Sequence, residues 1–199
     1  MSVSSVRSQL RSQLRESVST AILEAAEDLI AAKGLAGAPL LQIAKRAGVA
    51  VGTLYNYFAD RDALIAALFE MRRATLRPQL RAAVTAGAGL AFEPRLRAFV
   101  RDVFAAIEAH RKYVKVVIET EHAKVSGGKA SEDIANAIAD LVKVGIQEGV
   151  VAPQHADLSP IVITGALKAL LFKRISANAK LELADADSLV TLFLDGARA

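Results

Sequence analysis

The sequence predicts an all-α protein, on three observations. Apolar residues recur at three- and four-residue spacing along nearly the whole chain, the rhythm of a helix buried on one face. β-Branched runs such as VKVVIET are short and sit among helical neighbours. Residues 38–58 pack two short helical patterns around the glycine at position 48.

The elements follow in order. Val18, Ile22, Ala25, Ala26 and Leu29 keep the helical rhythm, and Lys33-Gly34 supplies a basic last turn and a glycine stop. Ile43, Ala44 and Ala47 mark a very short helix ending at Gly48, and another begins near Val51. Asp60 is placed to cap a helix through Leu64, Leu68 and Met71, which should end or kink near Pro78. Leu96, Phe99, Val100, Val103, Phe104 and Ile107 share one face of the next helix. An apolar run follows over Tyr113–Thr120. VSGGKAS reads as a loop, a stripe from Ile134 to Ile146 as a helix, and VVAPQHADLSP as a second loop. Two helices close the chain, over 159–176 and 186–197. IVITGALKALLF and LVTLFL are apolar on more than one face, so each needs cover on two sides. A second copy of the chain supplies that cover, and a homodimer through these two helices is expected.

Composition narrows the function classes. The 199 residues are 53% hydrophobic and include no Cys, which excludes disulfides and thiolate metal sites. No apolar stretch reaches the ~20 residues of a spanning helix, and the N-terminus lacks the apolar core of a signal peptide; a cytoplasmic protein without membrane contact is expected. The formal charge of +4 lies entirely in residues 1–84, with 11 Lys/Arg against 7 Asp/Glu, while residues 85–199 balance at 14 and 14. That asymmetry suits a phosphate-binding portion joined to a neutral one. RSQL occurs twice in tandem near the N-terminus, so Arg7, Arg11 and Arg15 share a helix face. They form a basic arm over residues 1–14 and just beyond, suited to tracking phosphates; a frayed terminus is the plain structural alternative.

Residues 38–58 carry the function. A short helix, a three-residue turn (Gly48, Val49, Ala50) and a second short helix are the layout of a helix-turn-helix, whose second helix enters the major groove. Ile43, Ala44, Val49, Leu54 and Phe58 are its internal contacts, with Ala47 small at the crossing. The stretch LLQIAKRAGVAVGTLYNYFADRDALIAAL resembles the DNA-binding region of TetR-family transcriptional regulators. The specific part is IA-x-x-AGV-x-x-GTLY-x-YF, and the resemblance covers about residues 18–70. It implies a DNA-binding domain over 15–75 and a helical ligand-binding and dimerisation domain over 76–199. It also implies a homodimer on a palindromic double-stranded operator, and a repressor that a small-molecule effector releases by changing the separation of the two recognition helices.

The resemblance further assigns roles. Thr53 and Tyr55 match positions that face the groove or backbone, Tyr57 a position that bonds phosphate, and Asn56 a variable reading position suited to an adenine edge. Val51 and Gly52 open the same helix and join these DNA-facing positions. Arg61 falls where the family favours a Lys for phosphate. Lys45 and Arg46 are backbone candidates, as are Arg7 and Arg11 of the arm. The chain also departs from the pattern. Ala38-Pro39-Leu40 lacks the usual hydroxyl cap, and Ala50-Val51 stands where Ser-Lys is common. Weaker anchoring by the reading unit follows, with the arm in compensation.

A ligand pocket is expected among Phe99, Val103, Phe104, Ile107, Val117, Glu119, His122 and Phe172, whose plain alternative is core packing. No metal or cofactor is expected. GAGLAF and SGGKAS are incomplete as nucleotide loops, and His110, His122 and His155 lack ligand spacing, so an enzyme is not expected. The remaining alternative is a helical ligand-binding or interaction module with weak or lost DNA binding.

Overall fold

The computed structural model describes residues 3–122 and 129–197. Within them the chain forms helices α1 (Val3–Lys33), α2 (Leu40–Arg46), α3 (Val51–Tyr57), α4 (Arg61–Ala86), α5 (Phe92–Ala109), α6 (Arg111–His122), α7 (Lys129–Gln147), α8 (Leu158–Ser176) and α9 (Leu183–Ala197), with a 3-10 turn at Pro153–His155. Among the described residues there is no strand. None of their helices is long and apolar enough to cross a membrane.

The helices group into two compact units, with α4 running through both. The first holds α1, α2, α3 and α4 through Arg72, together with the C-terminal half of α6 from Lys115. The second holds the rest of α4 from Arg73, α5, α6 through Val114, and α7 onward. The return of α6 to the first unit was not legible, because nothing in an apolar run says which partner it meets.

In the first unit Ile22, Ala26 and Ile30 of α1, Ile43 of α2, Leu54 of α3, and Leu64 and Leu68 of α4 are buried. Glu27 is buried with them. Arg72 closes on its carboxylate with both Nε (2.9 Å) and Nη2, which ties α1 to α4. Two expectations for local structure change. The arm is not a separate segment: α1 is one helix from Val3, since Val3–Lys33 contains neither Gly nor Pro. And α4 does not stop at Pro78 but continues to Ala86; it gives up the one backbone bond that Pro cannot donate and keeps those on either side.

In the second unit α5 packs on α7 and α9, and α8 on α7 and α9. Phe92, Leu96, Phe99, Val103 and Phe104 make α5 its central helix. Gly145 of α7 lies against the Phe92 ring; a Cβ there would fall 2.8 Å from the ring carbons. Arg101 holds Asp187 of α9 with two hydrogen bonds of 2.9 and 2.7 Å, Arg97 donates to the Asp187 carbonyl at 3.1 Å, and Arg174 of α8 reaches Asp185 at 2.5 Å. The guanidinium of Arg101 holds the Asp187 carboxyl below its ordinary value of 3.8 against opposing desolvation. Arg174 does the same for Asp185.

The terminal helices are two-faced. α8 buries Ile163, Leu167 and Ile175, while Ile161 (66% exposed), Val162 and Phe172 face outward. On α9, Leu189, Val190 and Leu194 are buried and Leu192 is 76% exposed.

Two outcomes test this packing. Gly145→Val overpacks the site against Phe92 and should cost about 2 kcal/mol, read by thermal or denaturant unfolding at fixed protein concentration. Asp185 and Asp187 have folded pKa values depressed below 3.8. Their pairing is therefore intact above about pH 4 and is lost as pH falls through the folded values. Asp185→Asn/Asp187→Asn should be less stable than the parent at pH 7, and the gap should narrow as pH falls below 3.8 when unfolding is followed by circular dichroism.

Candidate nucleic-acid interface

The helix-turn-helix is built by backbone chemistry more than by side-chain caps. α2 ends at Ala47, and Gly48 takes φ +72°, a conformation that a Cβ disfavours. The reversal lets Gly48 N–H bond the Lys45 carbonyl (3.2 Å) and Val49 N–H the Ala44 carbonyl (3.0 Å). This paired ending satisfies carbonyls that α2 would leave open. α3 then starts without a side-chain cap at Ala50, and α2 likewise at Pro39. α4 does have one: Asp60 Oδ1 accepts from Ala63 N–H at 2.7 Å.

α3 buries Leu54 completely, and Phe58 just beyond it is also buried. The rest of α3 is left outside. Val51, Gly52, Tyr55 and Asn56 are exposed, Thr53 and Tyr57 half-buried, and Tyr55 keeps 51% of its surface. The outward face thus offers a hydroxyl, a phenol, an amide and a methyl, with no charge. Tyr57 is further fixed from the N-terminal side: the Arg15 guanidinium lies over its ring, 5.8 Å from the centroid. This contact puts the Arg7/Arg11/Arg15 face of α1 on the side that holds α3. The i, i+4 spacing of the three arginines was legible; the stacking partner was not, since no local pattern links residues 15 and 57.

The cations divide into committed and open ones. Arg46 pairs with Asp28 at 2.6 Å. Lys45, Arg7 and Arg11 are exposed, and their side chains have no hydrogen-bond or ion-pair partner among the described residues. Arg61 has partners within the fold. It is half-buried, and its Nη2 donates to the carbonyls of Leu35 and, at 3.1 Å, Ala38. The reason lies in the turn between α1 and α2. Residues 35–38 read LAGA and contain no polar side chain, so their open carbonyls need a donor from elsewhere. An arginine fork can serve two at once. Glu119 of α6 takes the other backbone group of Leu35, its Oε2 accepting from Leu35 N–H at 3.4 Å.

The residues expected to line a ligand pocket are distributed over both units. Val103, Phe104 and Ile107 are packed core, and Phe172 faces outward on α8. Val117 and Glu119 belong to the first unit. The side chain of His122, like that of Glu121, lies outside the described residues. Phe99, itself buried, backs an open cleft of about 430 Å³ between α4, α5 and α7. Its apolar wall is Leu80, Val84, Phe99, Ile134 and Ala137, and its charged rim Arg77, Arg81, Asp133 and Asp140. The periodicity that marked α5's apolar face could not separate residues that fill a core from one at its edge.

Comparison with known proteins agrees with this geometry. Residues 22–68 match the family model described as bacterial regulatory proteins, tetR family. An uncharacterized HTH-type transcriptional regulator of Bacillus subtilis (strain 168), YvdT, is 49% identical over 49 residues, and the match spans 25% of each chain. Among solved structures, a TetR-like transcriptional regulator from Rhodococcus sp. RHA1 is 25% identical with a TM-score of 0.71, covering 92% of this chain and 94% of that one. The regulator FadR from Bacillus subtilis, solved in complex with stearoyl-CoA, shares the fold at 20% identity, with a TM-score of 0.73 and coverage of 89% and 98%.

Replacing Arg61 by Ala removes the donor for two turn carbonyls and should destabilise the protein by about 1.5–3 kcal/mol, the range for hydrogen bonds to a charged group. Chemical denaturation measures this. Arg61→Lys should recover only part of the loss, because its ammonium donates as the single Nη2 does but from a shorter stem.

Proposed function

Since the chain belongs to the TetR family, we propose that it is a DNA-binding transcriptional regulator that grips a palindromic operator as a homodimer. The observation that carries this is the outward face of α3. Tyr55, Asn56 and Thr53 are presented on a helix otherwise anchored by Leu54 and Phe58. Such groups suit base edges and thymine methyls, while the phosphate contacts come from outside the helix. Tyr57 and the residues opening α3, Val51 and Gly52, lie at the margin of that contact. Lys45 of α2 and Arg7 and Arg11 of α1 supply the open cations. Arg46 contributes less, being paired with Asp28, and Arg61 acts inside the fold, by holding the turn before α2.

The dimer forms through the outward faces of α8 and α9. Ile161, Val162, Phe172 and Leu192 make an exposed apolar surface of the kind that a second copy covers. The two recognition helices then have to stand ~34–36 Å apart to reach successive major grooves. A small molecule bound in the second unit alters that separation and releases the DNA, so that the protein represses in its unliganded form.

The test is a mobility shift with the chain's own upstream region. Tyr55→Ala should weaken binding by tenfold or more without changing the melting temperature. Removing residues 1–14 should weaken it further and lower the slope of log affinity against log salt by about 0.9 for each phosphate no longer neutralised. Full binding by Tyr55→Ala would remove α3 as the reading helix, and an unchanged salt slope would remove the arm.

A further inference from the structure

The cleft between α4, α5 and α7 has a charge balance that selects its occupant. Most of its polar side chains are already committed. Arg77 faces Asp133 at 3.5 Å. Asp140 accepts from Lys143 at 2.8 Å. The Thr85 hydroxyl turns back to donate to the carbonyls of Arg81 and Ala82, each at 3.1 Å. The guanidinium of Arg81 has no hydrogen-bond or ion-pair partner among the described residues. The cleft therefore presents one uncommitted cation above an apolar wall of Leu80, Val84, Phe99, Ile134 and Ala137.

We propose that this cleft binds a small amphiphilic anion, with a carboxylate or phosphate head on Arg81 and an apolar body along Leu80, Val84 and Ile134. The inference rests on the effector-responsive reading above and gives that effector a place and a chemical class. The volume of about 430 Å³ falls in the ordinary range for small-molecule sites, which pair an apolar lining with a few placed polar groups. A guanidinium fork accepts either oxyanion in two parallel hydrogen bonds. A cationic amphiphile is disfavoured, because Asp133 and Asp140 are each matched to a cation already and Arg81 repels it. Arg81 sits on α4, one helix with the segment that caps at Asp60 and carries Arg61.

Calorimetry on the full chain tests this with four ten-carbon probes below their micelle concentrations: decanoate, decyl phosphate, decanol and decyltrimethylammonium. The two anions should bind at least tenfold tighter than the alcohol and the ammonium, and the tighter of the two identifies the head group. Each methylene added to the tail should tighten binding about fourfold. Arg81→Gln should bring decanoate to within twofold of decanol, and Arg81→Lys should keep the anion preference. Ala137→Phe fills the apolar wall and should weaken every probe tenfold. Preference for the ammonium, or an unchanged decanoate affinity in Arg81→Gln, overturns the assignment. A mobility shift on the same preparations separates the two readings. Operator binding without anion binding removes the cleft assignment alone. Anion binding by a protein that never shifts DNA leaves the cleft standing and counts against the regulator.

Discussion

The first unit depends on the pairing of Glu27 with Arg72. Glu27 is only 4% exposed, on the inner face of α1. A buried carboxylate without a partner is costly, and breaking such a pair typically costs about 3–5 kcal/mol. Arg72 meets it through Nε and Nη2, in the forked geometry that fixes direction as well as distance. Arg72 is also the last residue of α4 within the first unit. The pair therefore pins α4 against α1 at the position where the helix passes from one unit into the other.

How much of this was legible in the sequence depends on the range of the interaction. The helix-turn-helix was legible because its determinants are local: Gly48 terminates α2, and Ile43, Val49, Leu54 and Phe58 recur at spacings that a short fold imposes. The missing caps at Pro39 and Ala50 were equally plain, and they remain missing in the structure. The bonds of Arg61 within the fold were not legible from its position. Their signal was twenty-odd residues away, in a turn of Leu, Ala and Gly with nothing polar to satisfy its own carbonyls. Pro78 misled for the opposite reason. A local breaker was outweighed by good helix formers on both sides. An apolar stripe such as that of α5 looks the same in sequence whether it meets α9 or a cleft.

The terminal helices show what composition can and cannot say. A helix that is apolar on two faces must be covered twice, and IVITGALKALLF announces that requirement directly. Ile163 and Leu167 meet it from within; Ile161 and Val162 leave it open. The same logic separates α5, whose large apolar residues sit on one side and are buried, from α8, whose large apolar residues are divided between the interior and the surface.

The distribution of aromatic side chains gives the molecule an optical property. The chain has no Trp and three Tyr. Two of these, Tyr55 and Tyr57, lie on α3, and the third, Tyr113, is buried in α6. With no indole to draw off excitation, emission excited near 280 nm comes from a set weighted two to one toward α3. Tyr55 stands open to solvent and Tyr57 beneath a guanidinium, so their quantum yields respond to whatever approaches that face. The recognition helix thus carries its own unlabelled fluorophores.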